Sequence, residues 1–263
     1  MPRNDAGGTG VRGDMKAFED HFSRRAGTYL RHRPAYPEAL YSHLASLAPH
    51  RRLAWDCGTG NGQAAVGLAE YFDRVIATDA SADQLALAPF HRKIEYRVAR
   101  SEDAGLESSS VALVTVAVAV HWFDFDKFYA EVRRVLSPGG VIAVWCYSVP
   151  AIDPAIDGLL GWYLRDVLSG YWPDRFRYIH EQYRTLPFPF RDLTPPEFTM
   201  ETVWSAEDVL GFLKSWSGTA NYEKQRGESP IELIRPRLME AWGKEKAERL
   251  LRWKLFLRVG LVE

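Results

Sequence analysis

The chain has 263 residues and a formal net charge of −1, with 46% hydrophobic and 25% charged residues. This balance is typical of a globular protein with a substantial core, and it gives no strong field that would attract nucleic acid or anionic lipid. The longest apolar run, at residues 111–120, is about half of the ~20 residues that a membrane-spanning helix needs. The two cysteines, Cys57 and Cys146, are too few for a disulfide scaffold and indicate a reducing compartment. The composition therefore favours a cytoplasmic α/β enzyme or ligand-binding protein.

Local composition divides the chain into four predicted regions. Residues 1–15 lack an apolar core and are predicted to be a disordered leader rather than a signal peptide. Residues 16–50 are predicted to form a helical N-terminal cap, interrupted by the proline-containing stretch at residues 33–37. Residues 51–148 carry the pattern of a central sheet, and residues 149–263 are predicted to form a helical lid together with strands that complete the sheet.

Between residues 51 and 148, short apolar segments alternate with amphipathic helical segments. The apolar segments are LAWD, RVIATD, IEYRVA, VALVTVAVAV and VIAVWCY. Helix signals separate them, because Ser81 begins a capping box and Pro138 with the two following glycines ends the last helix. Since strands joined by crossover helices run parallel, this order predicts a doubly wound Rossmann-like sheet with helices on both faces.

The C-terminal part has weaker strand signals. Residues 151–191 are rich in aromatic residues and proline, which favours helices and loops inserted after the fifth strand. FTMETVW and the alternating WKLFLRVGLV predict two further strands. Ser205 begins a capping box for a helix that would carry Trp216, and Ser229 with Pro230 begins a helix of roughly five turns.

The most informative segment is a glycine-rich turn, which reads Asp56-Cys57-Gly58-Thr59-Gly60-Asn61-Gly62 and lies between the first strand and its helix. Glycine lets the backbone approach a ligand closely, and a helix N-terminus offers free N–H groups. Asp79, 21 residues after Gly58, ends the second strand, where a doubly wound sheet places a carboxylate beside a ribose. The turn and this carboxylate together predict a nucleoside-binding site.

The spacing of the glycines separates two kinds of nucleoside. A dinucleotide site has G-x-G-x-x-G, whereas this turn reads G-x-G-x-G and has Gln63 three positions after Gly60. Asp56, before the turn, would repel a diphosphate and attract an ammonium group. The turn therefore favours S-adenosylmethionine over NAD. A nicotinamide-dependent oxidoreductase and a non-catalytic S-adenosylmethionine-binding protein are the alternatives.

With these residues the chain resembles the class I S-adenosylmethionine-dependent methyltransferases. Residues 116–124 (VAVAVHWFD) and residues 29–37, with their Arg-Pro-Ala-Tyr-Pro stretch, resemble the trans-aconitate methyltransferase-like (type 11 methyltransferase domain) group. The resemblance implies a sheet of about seven strands whose last strand is antiparallel, and we expect FTMETVW and WKLFLRVGLV to form the terminal pair. It also implies methyl transfer to a small-molecule acceptor such as a carboxylate.

The resemblance places the cofactor against three parts of a core at residues 51–148. The methionine part is expected at the glycine-rich turn, the ribose at Asp79 and the adenine near Ser101 and Glu102. Arg100 is a departure, because many relatives carry an acidic residue there that contacts the adenine amino group. The predicted cofactor-binding residues are Asp56, Cys57, Gly58, Gly60, Gly62, Asp79, Ala80, Ser101, Glu102, Val118, Tyr29 and Arg33.

His121 follows the fourth strand, at the edge where open α/β sheets bind ligands. It is the predicted catalytic residue and, with Trp122, Tyr36 and Trp216, a predicted substrate-binding residue. A neutral imidazole would orient a hydroxyl group or take its proton, whereas an imidazolium would pair with a carboxylate. A structural role for His121, holding Trp122 or a loop carbonyl in place, is the alternative.

A carboxylate acceptor would be paired with Arg31, Arg33 and His121, and it would need no general base because it is already ionised near neutral pH. The histidines show no metal-binding spacing, so no metal is expected. The expected partners are S-adenosylmethionine and a small-molecule substrate, without nucleic acid or membrane, in a monomer or homodimer.

Overall fold

A computed structural model describes residues 34–244 and 247–262. The strands are β1 (Leu53–Cys57), β2 (Arg74–Asp79), β3 (Ile94–Val98), β4 (Val111–Ala117), β5 (Leu136–Cys146), β6 (Arg191–Leu193), β7 (Thr199–Trp204), β8 (Arg249–Lys254) and β9 (Phe256–Leu261). The α-helices are α1 (Glu38–Leu47), α2 (Gln63–Ala69), α3 (Ala82–Leu85), α4 (Phe125–Val135), α5 (Pro154–Trp162), α6 (Arg177–His180), α7 (Ala206–Lys214), α8 (Ser217–Arg226) and α9 (Ile231–Trp242). Short 3-10 turns lie at Val120–Trp122 and Asp174–Phe176, and a π-helical turn at Tyr163–Val167.

Seven strands form one mixed sheet in the order β3-β2-β1-β4-β5-β9-β6. Strands β1 to β5 pair in parallel, whereas β9 runs antiparallel to both β5 and β6. This confirms the predicted Rossmann-like sheet with an antiparallel last strand. The strand order reverses between β1 and β4, which creates a crevice at their carboxyl ends.

The terminal strands differ from the prediction. FTMETVW forms β7, which pairs with β8 in a separate two-stranded sheet. WKLFLRVGLV divides at Leu255 into β8 and β9, so its two halves belong to different sheets. The neighbour of β9 at the edge of the large sheet is β6, which begins at Arg191, the last residue of the segment predicted to contain helices and loops, and for which no strand was predicted. Strand β6 has three residues, two of them exposed and charged, and therefore shows no alternating pattern.

The helix boundaries follow local chemistry. Ser81 Oγ accepts the N–H of Gln84 at the start of α3, and Ser205 begins α7 in a capping box, both as predicted. Helix α9 has 12 residues, about three turns rather than the predicted five. It ends before Gly243, whose φ of 84° leaves the helical region. Trp216 does not lie within α7 but immediately precedes α8.

Two hydrophobic clusters fill the two faces of the large sheet. One packs α1, α2 and the helices α5, α7 and α9 against the sheet, and the other packs α4 and residues 178–186 against the opposite face. The crevice opens at the strand ends between these two layers. Within the part of the chain that the structure describes, no helix combines the length and apolar character needed to cross a bilayer.

Candidate active site

The glycine-rich turn joins β1 to α2 at the crevice. Gly58, Gly60 and Gly62 have φ values of 68°, 57° and 83°, in the left-handed region that favours glycine. A Cβ atom at Gly58 would lie 2.7 Å from the Cβ of Ala119, and one at Gly62 would lie 2.6 Å from the hydroxyl oxygen of Tyr96. Both backbone conformation and space therefore require glycine at these two positions.

Asp56 lies beneath the turn and is fully buried. The hydroxyl of Thr59 donates to its Oδ2 (2.6 Å) and the hydroxyl of Thr115 donates to its Oδ1 (2.7 Å). Burial raises the pKa of the Asp56 carboxyl to about 6, although these two hydrogen bonds oppose the shift. Through these two hydrogen bonds the Asp56 carboxylate links Thr59 of the turn to Thr115 of β4. Direct pairing of Asp56 with an ammonium group stays a prediction.

Asp79 stands at the end of β2 and is half-buried. The N–H of Gly60 donates to its Oδ2 (2.8 Å), and the N–H of Ser81 donates to its Oδ1 (2.9 Å). These bonds fix the carboxylate against the glycine-rich turn. Because each carboxylate oxygen has a second lone pair, Asp79 can also accept the two hydroxyls of a ribose.

The other predicted cofactor residues lie around the same strand ends. Ala80 is exposed next to Asp79, and Cys57 is buried with its thiol pKa raised well above the usual value by that burial. After β3, Ser101 is buried and Glu102 is half-buried, whereas Arg100 is exposed. The structure therefore brings both segments to the carboxyl edge of the sheet, as the crevice requires.

Val118, at the end of β4, has a φ of 54°. A β-branched residue in the left-handed region costs of order 1–3 kcal/mol and persists only where the surroundings impose it. The N–H of Val118 donates to the carbonyl of Trp145 (2.8 Å), which holds this conformation. Val118 also lines a cavity, so this strained residue marks the boundary between the crevice and that cavity.

The cavity extends from Val118 and His121 toward the helices after β5. Its volume is about 650 Å³, counting the open space at its mouth. Aromatic side chains dominate its lining, and the largest are Trp122, Tyr147, Trp172, Phe176, Phe212 and Trp216. We call this space the aromatic cavity.

His121 is 1% exposed and contacts Tyr183, whose hydroxyl oxygen lies 2.9 Å from Nδ1. Its Nε2 is buried and has no hydrogen-bond partner among the described residues. Burial, with a smaller effect from the positive charge of Arg175, lowers the pKa of His121 to about 3. His121 is therefore neutral near pH 7, which disfavours the predicted pairing of an imidazolium with a carboxylate.

The structure brings four of the predicted residues together, since Val118, His121, Trp122 and Trp216 all line the aromatic cavity. Tyr36, predicted to bind substrate, is not part of this lining; its ring packs edge-on against Trp145, with centroids 5.4 Å apart. The predicted residues Tyr29, Arg31 and Arg33 lie outside the described residues. In the described part of the chain, no group of three His, Cys, Asp or Glu side chains is arranged to hold a metal ion.

Sequence reasoning missed Trp172, Phe176 and Tyr183. Trp172 and Phe176 stack with ring centroids 4.4 Å apart and line the aromatic cavity. The aromatic content of residues 151–191 was the available signal, but no periodicity indicated which rings face the cavity.

Comparison with known proteins identifies the family. The methyltransferase-domain family matches residues 55–144. A Dictyostelium discoideum protein named as a methyltransferase is 33% identical over 86% of this chain and 87% of its own length. A solved structure described as a type II methyltransferase from Anaeromyxobacter dehalogenans is 40% identical, with a TM-score of 0.81, over 87% of this chain and 97% of that one. The chain is a class I S-adenosylmethionine-dependent methyltransferase.

The name of a more distant relative includes the cofactor. The Saccharomyces cerevisiae protein CRG1, named as an S-adenosylmethionine-dependent methyltransferase, is 25% identical over 75% of this chain and 80% of its own length. The site of this methyltransferase fits that cofactor, because the left-handed glycines let the backbone approach a ligand and Asp79 offers its carboxylate beside them. S-adenosylmethionine is therefore the cofactor, and the alternative of a nicotinamide-dependent oxidoreductase is not supported.

Proposed function

We propose that this methyltransferase methylates an uncharged, largely apolar small molecule that binds in the aromatic cavity. One observation carries the proposal: Val118 and His121, which follow β4 at the carboxyl edge of the sheet, line a cavity whose other walls are mainly tryptophan, tyrosine and phenylalanine side chains. Such a cavity stabilises a planar or aliphatic ligand by burial of apolar surface and by stacking.

The charges around the cavity favour a neutral acceptor over a carboxylate. None of the described residues that line it is Lys or Arg, and His121 is neutral near pH 7. An ionised carboxylate buried without a partner costs several kcal/mol. A carboxylate acceptor would therefore need a cation from outside this lining, such as Arg175, whose charge acts on His121, or Arg31 and Arg33, which lie outside the described residues.

Two polar atoms indicate where the acceptor carries its own polar groups. His121 Nε2 and Ser217 Oγ are buried, lack partners among the described residues, and belong to residues that line the aromatic cavity. A buried polar group without a partner costs about 1–3 kcal/mol. An acceptor with one or two oxygen or nitrogen atoms would satisfy both groups on binding.

In this proposal the residues of the crevice bind the cofactor, and the residues of the aromatic cavity position the acceptor. Gly58, Gly60 and Gly62 would hold the amino-acid part of the cofactor, Asp79 would accept the ribose hydroxyls, and the segment at Ser101 would contact the adenine. When bound, S-adenosylmethionine would supply an electrophilic methyl group, whose bond to sulfur breaks as a lone pair of the acceptor bonds to the methyl carbon, with S-adenosylhomocysteine as the leaving group. A proton released by a hydroxyl or amine acceptor passes to solvent. The protein contributes orientation of the acceptor and exclusion of competing water.

Cofactor binding and acceptor binding are also assigned to different regions of the chain. Residues 51–148 are the S-adenosylmethionine-binding core, and residues 149–263 supply the lid over the acceptor together with β6 and β9 of the large sheet. The buried free thiols of Cys57 and Cys146 are consistent with a reducing, cytoplasmic setting.

Methyl transfer from radiolabelled S-adenosylmethionine tests the proposal. The panel pairs each neutral aromatic alcohol, phenol or amine with a carboxylic acid of the same ring size, so that charge is the main difference. We expect labelled product from neutral members and at least tenfold lower activity with their acid partners. Preferential methylation of the acids, or competition by di- and tricarboxylic acids, would overturn the proposal.

A further inference from the structure

We propose that Tyr183 holds His121 in the tautomer whose hydrogen is on Nε2, so that His121 binds the acceptor as a hydrogen-bond donor. Tyr183 is then a positioning residue, acting through His121. The proposal rests on the proposed binding of the acceptor in the aromatic cavity and gives a specific role to one side chain there.

The hydrogen-bond inventory decides between the two tautomers. Tyr183 is fully buried, and its hydroxyl has one partner among the described residues, Nδ1 of His121 at 2.9 Å. If the phenol donates to Nδ1, only the N–H at Nε2 lacks a partner. If Nδ1–H donates instead, the phenol hydrogen and the Nε2 lone pair both lack partners. The first arrangement leaves one buried polar group unsatisfied rather than two and is therefore favoured.

The protonation states agree with this choice. Burial holds the pKa of the Tyr183 phenol well above its usual value, so the hydroxyl keeps its hydrogen. His121 is neutral and so carries one ring hydrogen. A neutral imidazole that accepts at Nδ1 must therefore carry its hydrogen at Nε2.

The backbone around Tyr183 shows that its position is imposed. Gln182 and Tyr183 both have a φ of 58°, two consecutive residues in a conformation that non-glycine residues rarely adopt. The N–H of Tyr183 donates to the carbonyl of Tyr178 (2.7 Å), which closes this bend at the end of α6. The bend brings the phenol hydroxyl to Nδ1 of the imidazole rather than to Nε2.

This assignment changes the chemistry expected of His121. An Nε2–H group can bind a carbonyl, ether or hydroxyl oxygen of the acceptor, but it cannot remove a proton from it. The role is therefore orientation of the acceptor. The Nε2–H group also requires that the acceptor molecule carry an oxygen placed to accept its hydrogen bond.

The tautomer of His121 can be determined by NMR, without an acceptor and without an activity assay. In two-bond ¹H–¹⁵N correlation spectra of the uniformly ¹⁵N-labelled protein near neutral pH, the His121 signals are assigned by their loss in His121→Gln. We expect Nε2 to appear as the protonated nitrogen and Nδ1 as the unprotonated one. Protonation at Nδ1 would overturn the proposal, and it would leave the neutral-acceptor proposal standing.

A pair of tyrosine variants tests the part played by Tyr183. Tyr129 belongs to the same hydrophobic cluster and donates its hydroxyl to the carbonyl of Pro187 (2.6 Å), so Tyr129→Phe also removes one buried hydrogen bond. We expect Tyr183→Phe to shift the Nδ1 signal of His121 and to raise the acceptor KM roughly tenfold, with cofactor affinity unchanged. Tyr129→Phe should do neither. Equal effects of the two variants would show that Tyr183 is only structural.

A second pair tests donation by His121. His121→Gln retains an N–H donor on a side chain of similar reach, whereas His121→Leu retains only the volume. We expect the leucine variant to raise the acceptor KM roughly tenfold to a hundredfold and the glutamine variant to recover most of this loss. Loss of kcat to the same extent in both, with unchanged KM, would indicate a proton-accepting histidine and contradict the proposal.

Discussion

The crevice and the aromatic cavity meet at Val118, but they are built in different ways. The crevice is made of backbone, because left-handed glycines and the N–H groups of Gly60 and Ser81 shape it around one carboxylate. The cavity is made of side chains that come from segments far apart in the sequence, such as Trp122 and Trp216. A backbone site of this kind can hold one invariant cofactor, whereas a side-chain cavity can change its ligand by substitution.

The two regions should also respond to acid in opposite directions. The pKa of His121 is lowered from 6.5 to about 3, so the unfolded state binds the proton first and stability falls as pH drops below 6.5. We expect this one group to remove about 3 kcal/mol between pH 6.5 and pH 4. In His121→Gln that loss should disappear, as measured by urea unfolding at several pH values.

Asp56 supplies the contrasting control. Its pKa is raised from 3.8 to about 6, so the folded state binds the proton first and stability rises as pH falls from 6 toward 3.8. Asp56→Asn should therefore make the protein more sensitive to acid, whereas His121→Gln makes it less so. Parallel pH profiles for the two variants would show that the two regions do not differ in this way.

Gly58→Ala tests whether the crevice depends on its backbone. The new Cβ would meet Ala119 at 2.7 Å in addition to the strain of a φ of 68°, so we expect a loss of roughly 3 kcal/mol in stability and loss of S-adenosylhomocysteine binding. Gly105→Ala is the matched control, since Gly105 has a φ of 61° but no atom within 4 Å of the added Cβ. Equal losses of stability in the two variants would mean that backbone conformation alone, and not the close approach to Ala119, requires glycine at position 58.

The same contrast explains what the sequence could predict. The turn, Asp79 and the order of β1 to β5 follow from local signals, since glycine spacing and strand alternation are read within a few residues. The pairing of β6 with β9 and the contact between His121 and Tyr183 are not local. They depend on where the chain returns after residue 150, and three-residue strands or single aromatic rings carry no periodic pattern. The position of Tyr36 was also not predictable from local signals, because its ring packs against the distant Trp145 rather than in the cavity.

Asp79→Ala tests the carboxylate of the crevice. Removing the acceptor of the ribose hydroxyls, together with the anchor for two backbone N–H groups, should weaken S-adenosylhomocysteine binding by about 1–3 kcal/mol. Isothermal titration calorimetry measures this directly. Asp73→Ala, an exposed aspartate just before β2, should leave the affinity unchanged. A normal affinity in Asp79→Ala would remove the ribose role.

Trp172→Ala tests whether the cavity can be altered without disturbing the crevice. The indole stacks on Phe176, lies 5.6 Å from the ring of Trp216 and lines the cavity, so its loss should raise the acceptor KM by the equivalent of about 1–2 kcal/mol. Affinity for S-adenosylhomocysteine should not change, because none of these rings belongs to the glycine-rich turn. Trp162→Ala removes a half-buried indole that contacts Arg237 outside the cavity and should leave KM unchanged. If Trp172→Ala weakened cofactor and acceptor equally, the two regions would form one cooperative site, and acceptor choice could not change independently of cofactor binding.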